Sequence, residues 1–568
     1  MASLRGYRNS LLPIHRLPPE LLTEIFRLTM SSPESFCPWF EYDHVPKPPP
    51  KVQNWSLLHV CRHWRGIMAT SPNLWSTVDS LCHPESFLKR AGGAPHRIFI
   101  SDGNNITPTL LEALTAEPQR LAEYHVWGGG GQAIWKLLNA GSAPLLEALT
   151  LILNAGITNP VLPPIFQGNM PRLKKLALSY YTSWPSGYFK GLTHLYLCTQ
   201  AQTRPTTSEF LDFLEGSPLL EVLSLDIAGP TRDNISEIPP TPASRFVDLK
   251  HLKELNIAGW PTITIIARFL SHLCLPPTTN MYIWGMCLTN IDEDLGLLLP
   301  HDPSRLQNLQ TIRRLVISRH PAIQHKTPPF VVIENATLHI FGTLSPRHII
   351  PIMSRYPLDK VRRFTIWDSF HGPSDGIPTQ VWYDFFQKMP SLRSLHIIRS
   401  PSTTGLTRSV VSALLPPHEK KGDKEKTSEK TTMTTMSDDD TQPHPNTILC
   451  PHLRTLTIEG DPKLPTLLLG ALAQDRSNRS TPLKKIEITT NKYASTPNDL
   501  SPLSSETDNE DKNGMFTTED VYFLKKHVRD VIFTQKIQHG ETVLIPPELG
   551  GRLFKWIRTL YASVITPS

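Results

Sequence analysis

A short hydrophobic phrase recurs along most of the chain after residue 90. It consists of an aliphatic residue, two variable residues, an aliphatic or aromatic residue, one variable residue and another aliphatic residue. The phrase occurs as LEALTL at Leu146, LKKLAL at Leu173, LTHLYL at Leu192, LEVLSL at Leu220, LKELNI at Leu252, IRRLVI at Ile312, VRRFTI at Val361, LRSLHI at Leu392, LRTLTI at Leu453 and LKKIEI at Leu483. Alternating apolar positions are typical of a β-strand, so each phrase predicts one strand.

The spacing of the phrase indicates how the strands are assembled. Several successive phrases begin roughly 20 to 32 residues apart, and the wider gaps are near twice that, so a degenerate phrase such as MYIWGM at Met281 is expected to fill one of them. The period resembles that of leucine-rich repeats, whose units bury their apolar sides only by stacking. We predict an α/β fold with an irregular leucine-rich repeat solenoid, a horseshoe, over residues 81–490; a doubly wound sheet is the weaker alternative.

Polar segments interrupt this array. Residues 416–445, which contain EKKGDKEKTSEKTTMTTMSDDD, and residues 491–515 have almost no large apolar side chains, which predicts disordered loops. Residues 516–568 are expected to form a C-terminal helical cap, with Gly550 and Gly551 weakening its helix. Residues 1–12 are expected to be a flexible N-terminus.

The N-terminal region has a helical pattern instead. Prolines suited to a first helical turn precede a wide apolar face in LPPELLTEIF, which begins at Leu17. Residues 31–54 are rich in proline and cannot continue the helix, so they are interpreted as an inserted loop. The helical pattern resumes at Trp55 and runs to Ala69, and SPNLW closes the segment at Trp75.

These pieces, LPPELLTEIF, VCRHWRGIM and SPNLW in that order, resemble an F-box, and the inserted loop resembles those of large fungal F-box families. The resemblance implies an all-helical module over residues 13–80 that docks on a Skp-type adaptor and, through it, on a cullin. The adaptor-binding positions that it implies are Leu17, Pro18, Leu21, Leu22, Ile25, Phe26, Val60, Cys61, Trp64, Leu74 and Trp75. An ordinary helical hairpin that buries these residues in its own core is the alternative.

Two rows of the repeat are candidates for holding a target. The residue between the last two aliphatic positions should point away from the core, because side chains alternate across a strand. This outward row, the expected concave floor, comprises Ala177, Tyr196, Ser224, Asn256, Val316, Thr365, His396, Thr457 and Glu487. Its members are chemically mixed. Such diversity is expected of a surface that recognises one particular protein, but it is equally expected of residues that only contact solvent.

The second row follows the first aliphatic residue of each phrase. It is cationic at Lys174, Lys253, Arg313, Arg362, Arg393, Arg454 and Lys484, and acidic in the earlier units at Glu147 and Glu221. Stacking would align the cations into a basic stripe that attracts acidic or phosphorylated partners, although a solvated row of cations would look the same. The predicted target contacts from both rows are Tyr196, Asn256, Arg313, Arg362, Thr365, Arg393, His396 and Arg454.

Composition limits the partners and the compartment. The 568 residues include Lys+Arg 57 against Asp+Glu 51, a net charge of +6 that is too mild for a nucleic-acid footprint. The seven cysteines show no CxxC spacing, which favours a reducing compartment. Without an apolar run of about 18 residues, a membrane span is not expected. We therefore expect a cytoplasmic or nuclear protein.

The sequence contains little evidence for a catalytic or cofactor-binding site. Residues 128–133, GGGGQA, formally match GxGxxA between a strand-like and a helix-like segment, but the next strand is followed by Asn154 rather than by an acidic residue. His59, Cys61 and His63 do not share one helix face, so no metal and no cofactor are expected. No HExxH motif occurs.

Three functional hypotheses follow. The first is a non-catalytic substrate-recognition subunit of a Skp, cullin and F-box ubiquitin ligase, which acts by holding a target near a charged ubiquitin-conjugating enzyme. The second is a leucine-rich repeat scaffold that binds the adaptor without ubiquitin transfer. The third is a nucleotide-dependent enzyme built around the loop at Gly128.

Overall fold

The computed structural model describes most of the repeat array and the helical part of the N-terminal region. The described residues are 9, 11–29, 55–79, 84–100, 106–128, 132–153, 161–185, 187–200, 204–230, 245–260, 263–286, 298–300, 302–320, 330–335, 338–342, 356–368, 378–399, 406–416, 448–460, 466–493 and 518–538. The chain divides into two compact units. Unit 1 comprises residues 1–286 and 300–307, and unit 2 comprises residues 287–299 and 308–568.

Unit 1 begins with a helical module. A 3-10 turn at Pro13–Arg16 precedes helix α1 (Pro19–Thr29), and a second one at Pro72–Trp75 follows helices α2 (Trp55–Val60) and α3 (Arg62–Thr70). The sequence predicted one helix from Trp55 to Ala69, and this is wrong because the backbone is extended at Cys61 (φ −160°, ψ 170°). The Cys61 sulfur accepts a hydrogen bond from the Trp64 amide at 3.4 Å and thereby caps α3.

The module has its own apolar interior. Leu22 and Phe26 of α1 are fully buried, and the Phe26 ring lies 4.7 Å from the Trp64 ring of α3 between centroids. Ile67, Met68 and Leu74 are also buried. Burying a large apolar side chain contributes about 1.5–3 kcal/mol, so this contact explains how α1 and α3 are held together.

Strands and helices then alternate through the rest of unit 1. The strands are β1 (Thr77–Asp79), β2 (His96–Ile100), β3 (Leu121–Gly128), β4 (Ala148–Leu153), β5 (Lys175–Ser179), β6 (His194–Cys198), β7 (Val222–Asp226), β8 (Val247–Asp248), β9 (Glu254–Ala258), β10 (Leu273–Cys274) and β11 (Asn280–Met286). The helices are α4 (Pro84–Ala91), α5 (Pro108–Ala116), α6 (Gln132–Leu138), α7 (Thr207–Glu215) and α8 (Ile263–Ser271). The phrases of unit 1, including the degenerate one at Met281, all form strands as predicted.

The strands of unit 1 form a parallel ladder in chain order. The order is β1-β2-β3-β4-β5-β6-β7-β9-β11, with β8 and β10 in a separate two-stranded pair. Leu149, Leu176, Leu195, Leu223 and Leu255 occupy neighbouring rungs and are buried. A doubly wound sheet reverses its strand order, so this sequential ladder excludes that alternative for the described part of unit 1.

The turn that follows each strand repeats as well. Tyr180, Thr199, Ile227 and Gly259 come directly after β5, β6, β7 and β9, and all have left-handed backbone angles, with φ of 66°, 54°, 50° and 65°. The amides of the first three donate to the carbonyls of Cys198, Asp226 and Ala258 at 2.8–3.0 Å. The backbone therefore leaves each strand in the same way, even where a β-branched residue makes this conformation costly.

Unit 2 contains a second ladder with one irregularity. Its strands are β12 (Arg314–His320), β13 (Phe330–Asn335), β14 (Leu338–Gly342), β15 (Arg363–Asp368), β16 (Ser394–Arg399), β17 (Thr455–Glu459), β18 (Lys485–Tyr493) and β19 (Asp530–Gln538). Its helices are α9 (Thr379–Gln387), α10 (Leu406–Ala413), α11 (Thr466–Asn478) and α12 (Thr518–Lys525). Strands β12, β15, β16, β17, β18 and β19 are parallel and in chain order, whereas β13 and β14 form an antiparallel meander that the phrase did not predict.

Several predicted boundaries change. The ladder starts at β1, inside the span assigned to the F-box (13–80), and β18 extends to Tyr493, inside the expected loop 491–515. The expected helical cap contains α12 but continues as strand β19, so that prediction is wrong for the described part of 516–568. Residues 1–8 and 10, the whole inserted loop 31–54, and most of segments 416–445 and 491–515 lie outside the described residues.

Candidate functional site

Helix α1 carries two apolar stripes with different roles. Leu22 and Phe26, four residues apart, face the interior of the module. Leu21, Ile25 and Leu28 lie at the i, i+4 and i+7 positions of a second stripe, with Leu21 53% and Leu28 65% exposed and Ile25 half-buried. One side of α1 therefore presents apolar surface to solvent.

Other predicted adaptor contacts are also at least partly exposed. Pro18 is exposed, Leu17 and Cys61 are half-buried, and Val60 of α2 is 53% exposed. Leu11 and Leu12, which the sequence did not single out, are 55% and 46% exposed just ahead of the first 3-10 turn.

The remaining predicted contacts have a structural role. Leu22, Phe26, Leu74 and Trp75 are at most 1% exposed, so a partner cannot touch them directly in this conformation and their prediction as contact residues is corrected. Trp64 is half-buried, and its ring packs against that of Phe26 at a tilt of 53°. The motif thus mixes residues that build the module with residues that remain on its surface.

Trp75 links the helical module to the start of the ladder. Its indole N–H donates to the Met68 carbonyl at 2.6 Å, which ties it to α3. Its ring meets Phe87 of α4 edge-on at a centroid distance of 5.1 Å, and the Arg90 guanidinium lies 4.3 Å from its ring centroid. Because Trp75 is fully buried, we infer that it fixes the end of the module against α4.

The outward row of unit 1 is not the open floor that was expected. Ala177 is 2% exposed, Tyr196 7% and Ser224 2%. Ala177 and Tyr196 belong to a buried cluster with Trp127, Ile152 and other apolar residues on neighbouring strands. Large side chains on adjacent strands pack against one another along this face and exclude solvent from it. The prediction of Tyr196 as a target contact is therefore corrected. Asn256 remains half-buried, and its side-chain amide donates to Glu254 at 2.9 Å.

A buried histidine network lies on the same face. Nδ1 of His125 lies 2.9 Å from the Thr150 hydroxyl, and Nε2 lies 3.2 Å from a Glu123 carboxylate oxygen. The Phe99 and Trp127 rings both lie nearly parallel to the imidazole, at centroid distances of 4.7 and 5.8 Å. Burial lowers the pKa of His125, against the opposing effect of the Glu123 carboxylate. Its polar groups are satisfied inside the protein, which gives it a structural role.

The outward row of unit 2 is more open, with one exception. Thr365 is 4% exposed, so its prediction as a target contact is corrected. His396 is half-buried, and its Nε2 lies 3.2 Å from a carboxylate oxygen of Glu459. Thr457 and Glu487 are half-buried on the next two strands.

The basic stripe is assembled in unit 2 as the repeat predicts. The Arg362 amide donates to the Arg313 carbonyl, Arg393 to Arg362, Arg454 to Arg393 and Lys484 to Arg454, at 2.8–2.9 Å in each case. The pairing of Lys485 with Asp530 then places Arg529 on the next rung. This position was not among the predicted ones, because VRDVIF (528–533) ends in an aromatic rather than an aliphatic residue. All six side chains are exposed, and together they are called the cation column.

The same row is not uniformly basic in unit 1. Lys174 and Lys253 are exposed, but Glu147, Thr193 and Glu221 occupy the rungs beside and between them. The Lys253 ammonium pairs with Glu221 at 2.7 Å. This pairing holds the pKa of the Glu221 carboxyl below its ordinary value. In unit 1, acidic and neutral residues therefore interrupt the row, and Glu221 neutralises Lys253.

No arrangement for cofactor or metal binding is evident in the described residues. Residues 129–131 of the glycine loop lie outside them; β3 precedes this gap and α6, of seven residues, follows it. The described side chains include no group of three or more His, Cys, Asp or Glu placed to hold a metal ion. Within that part of the chain, no helix is both long and apolar enough to cross a bilayer.

Comparison with known proteins adds little to this geometry. No protein-family model matches the chain, and no curated protein matches it. Among solved structures, it is similar to an internalin from Listeria monocytogenes, at 12% sequence identity and a TM-score of 0.23, over 67% of this chain and 84% of that one. A superposition of this quality does not establish a shared fold, so the repeat architecture rests on the ladders themselves.

Proposed function

We propose that this chain is an F-box adaptor that uses its N-terminal module to bind a Skp-type protein and its leucine-rich repeat array to hold a target. The observation that carries the proposal is the exposed stripe of Leu21, Ile25 and Leu28 on α1, within a module whose sequence resembles an F-box. An exposed apolar helix face of this kind marks a protein-interaction site and suits helix-in-groove binding.

The mechanism that follows is one of proximity. The adaptor connects the module to a cullin scaffold, and the array keeps the target near a charged ubiquitin-conjugating enzyme. The parallel strand order and the stacked repeats support a rigid array that can present a binding surface. In this proposal the chain supplies geometry, and the chemistry belongs to its partners.

The proposal is tested by co-purification with a Skp-type adaptor. The Leu21→Asp and Val60→Asp double variant introduces charge at two exposed apolar positions of the module and should lose the adaptor. Leu219→Asp is the matched control, because Leu219 is 54% exposed in unit 1 outside the module, whereas Leu21 is 53% exposed. Its adaptor binding should equal that of the wild type.

The partners recovered separate the three hypotheses. Recovery of adaptor, cullin and ubiquitylated proteins supports the ligase subunit, and recovery of adaptor without cullin replaces it with the scaffold. Adaptor binding that survives the double variant overturns the F-box interpretation. An increase in melting temperature with a dinucleotide would favour the enzyme at Gly128.

A further inference from the structure

The cation column of unit 2 holds like charges at close, regular intervals. Its members are Arg313, Arg362, Arg393, Arg454, Lys484 and Arg529. Among the described residues, none of their side chains has an ion pair or a side-chain hydrogen bond. Adjacent strands lie about 4.8 Å apart, so six rungs span about 24 Å. Like charges held this close raise the local potential well above what the net charge of the chain suggests.

The next row along the strands adds to this field. It comprises Arg314, Arg363, Ser394, Thr455, Lys485 and Asp530. Its three cations outnumber its single acid at Asp530, and the Lys485 ammonium is engaged by Glu487 at 2.8 Å. The hydroxyls of Ser394 and Thr455 offer further hydrogen-bond donors. Both rows together form one basic edge.

We infer that this edge binds an acidic peptide segment of a partner protein, about seven residues long in extended conformation. At about 3.4 Å per residue, seven residues cover the 24 Å of the column. Five of its six members are arginines, whose planar guanidinium groups form paired hydrogen bonds with carboxylate or phosphate oxygens. Asp, Glu and phosphoserine share this chemistry.

The composition of the edge disfavours nucleic acid as the ligand. Proteins that bind single strands combine cations with aromatic side chains on which bases stack, worth about 1–3 kcal/mol per base. The twelve residues of the two rows include no aromatic side chain. A peptide needs no such platform, because its charges and its backbone supply the contacts.

This inference deepens the target-holding half of the proposed function and rests on that half alone. Peptide binding is measured on the full chain without the Skp-type adaptor. Failure of the peptide to bind would therefore not argue against adaptor binding by the module. Loss of adaptor binding would likewise not argue against peptide binding by the cation column.

The test is fluorescence anisotropy with a labelled seven-residue Asp/Glu peptide, a version with two phosphoserines, a neutral Asn/Gln version and a ten-nucleotide single-stranded RNA. The triple variant Arg362→Glu, Arg393→Glu, Arg454→Glu should weaken binding of the acidic peptides at least tenfold. The neutral triple variant Arg362→Gln, Arg393→Gln, Arg454→Gln should also weaken binding of the acidic peptides, and it disturbs folding less than the glutamate variant.

A charge-matched control isolates the column from net charge. Lys136→Glu, Lys174→Glu and Lys190→Glu change three exposed lysines of unit 1 by the same total charge and should leave the affinity within about twofold. The two acidic peptides tell carboxylate from phosphate preference. Equal binding of the neutral peptide, tighter binding of the RNA, or wild-type affinity in both triple variants would overturn the inference.

Discussion

Replacing Trp75 by alanine should separate the helical module from the ladder. The side chain is fully buried, so its removal leaves a cavity beside Phe87 and removes one of the two hydrogen bonds to the Met68 carbonyl, which still accepts from the Ser71 amide. Truncation of a buried aromatic costs about 3–5 kcal/mol, and the lost hydrogen bond adds about 1 kcal/mol. We expect the free energy of unfolding to fall by about 4–6 kcal/mol.

Urea denaturation followed by circular dichroism measures this loss, and amide hydrogen exchange locates it. Exchange should accelerate in residues 62–70 and 84–91, the two helices that Trp75 joins. Trp75→Phe keeps most of the ring and should cost about 1–2 kcal/mol through the lost N–H donor. Tyr522→Ala is the control, because that side chain is 69% exposed. A loss under 1 kcal/mol for Trp75→Ala, or unchanged exchange in 84–91, would refute the linking role.

Three further predictions concern the array. Burial lowers the pKa of His96 to about 4, so protonation favours the unfolded chain and the free energy of unfolding should fall as pH drops from 6.5 towards 4. The free energy of unfolding of the wild type should fall between pH 7 and pH 5.5, and His96→Gln should reduce that fall by about 1 kcal/mol. Urea titration at both pH values measures this, and an unchanged pH dependence in the variant would contradict it. Gly259→Ala should lower the melting temperature, because its Cβ would lie 2.4 Å from Cγ1 of Ile227 and the backbone φ is +65°. Gly66→Ala is the control and should not lower it, because the space around Gly66 is open. Equal melting temperatures of the two variants would count against the repeated turn. Arg476→Leu should lower the free energy of unfolding by about 3 kcal/mol, because the buried guanidinium donates to the carbonyls of Leu449 and Cys450 at 3.1 and 2.8 Å. A decrease under 1 kcal/mol would show these hydrogen bonds to be dispensable.

The repeat was predictable because its signal is local. Strand alternation and the row of cations follow from side-chain period alone, and the backbone hydrogen bonds from Arg313 to Lys484 confirm the row in unit 2. The division of α1 into a buried and an exposed stripe was not predictable, because all five apolar residues fit one wide face. Which of them a neighbour covers depends on the position of Trp64, far along the chain.

Other features depend on contacts that no local pattern encodes. The extended conformation at Cys61 interrupts a segment whose periodicity remains helical, and a sulfur cap compensates for the break. The outward row of unit 1 is buried because aromatic residues on strands before β5 lie on the same face, which the phrase alone does not reveal. The rung of Arg529 carries VRDVIF, which departs from the phrase only in its aromatic last residue, and it was recognised from strand pairing.

Adaptor binding by the module can be measured by amide hydrogen exchange of the full chain alone and mixed with a purified Skp-type adaptor. We expect a one-to-one complex in which protection increases in residues 17–29 and 55–65, where Leu21 and Val60 are exposed, and remains unchanged in the strands of unit 2. Absence of a complex, or protection that falls on unit 2 and spares α1, would contradict the central claim that this module is an adaptor-binding F-box.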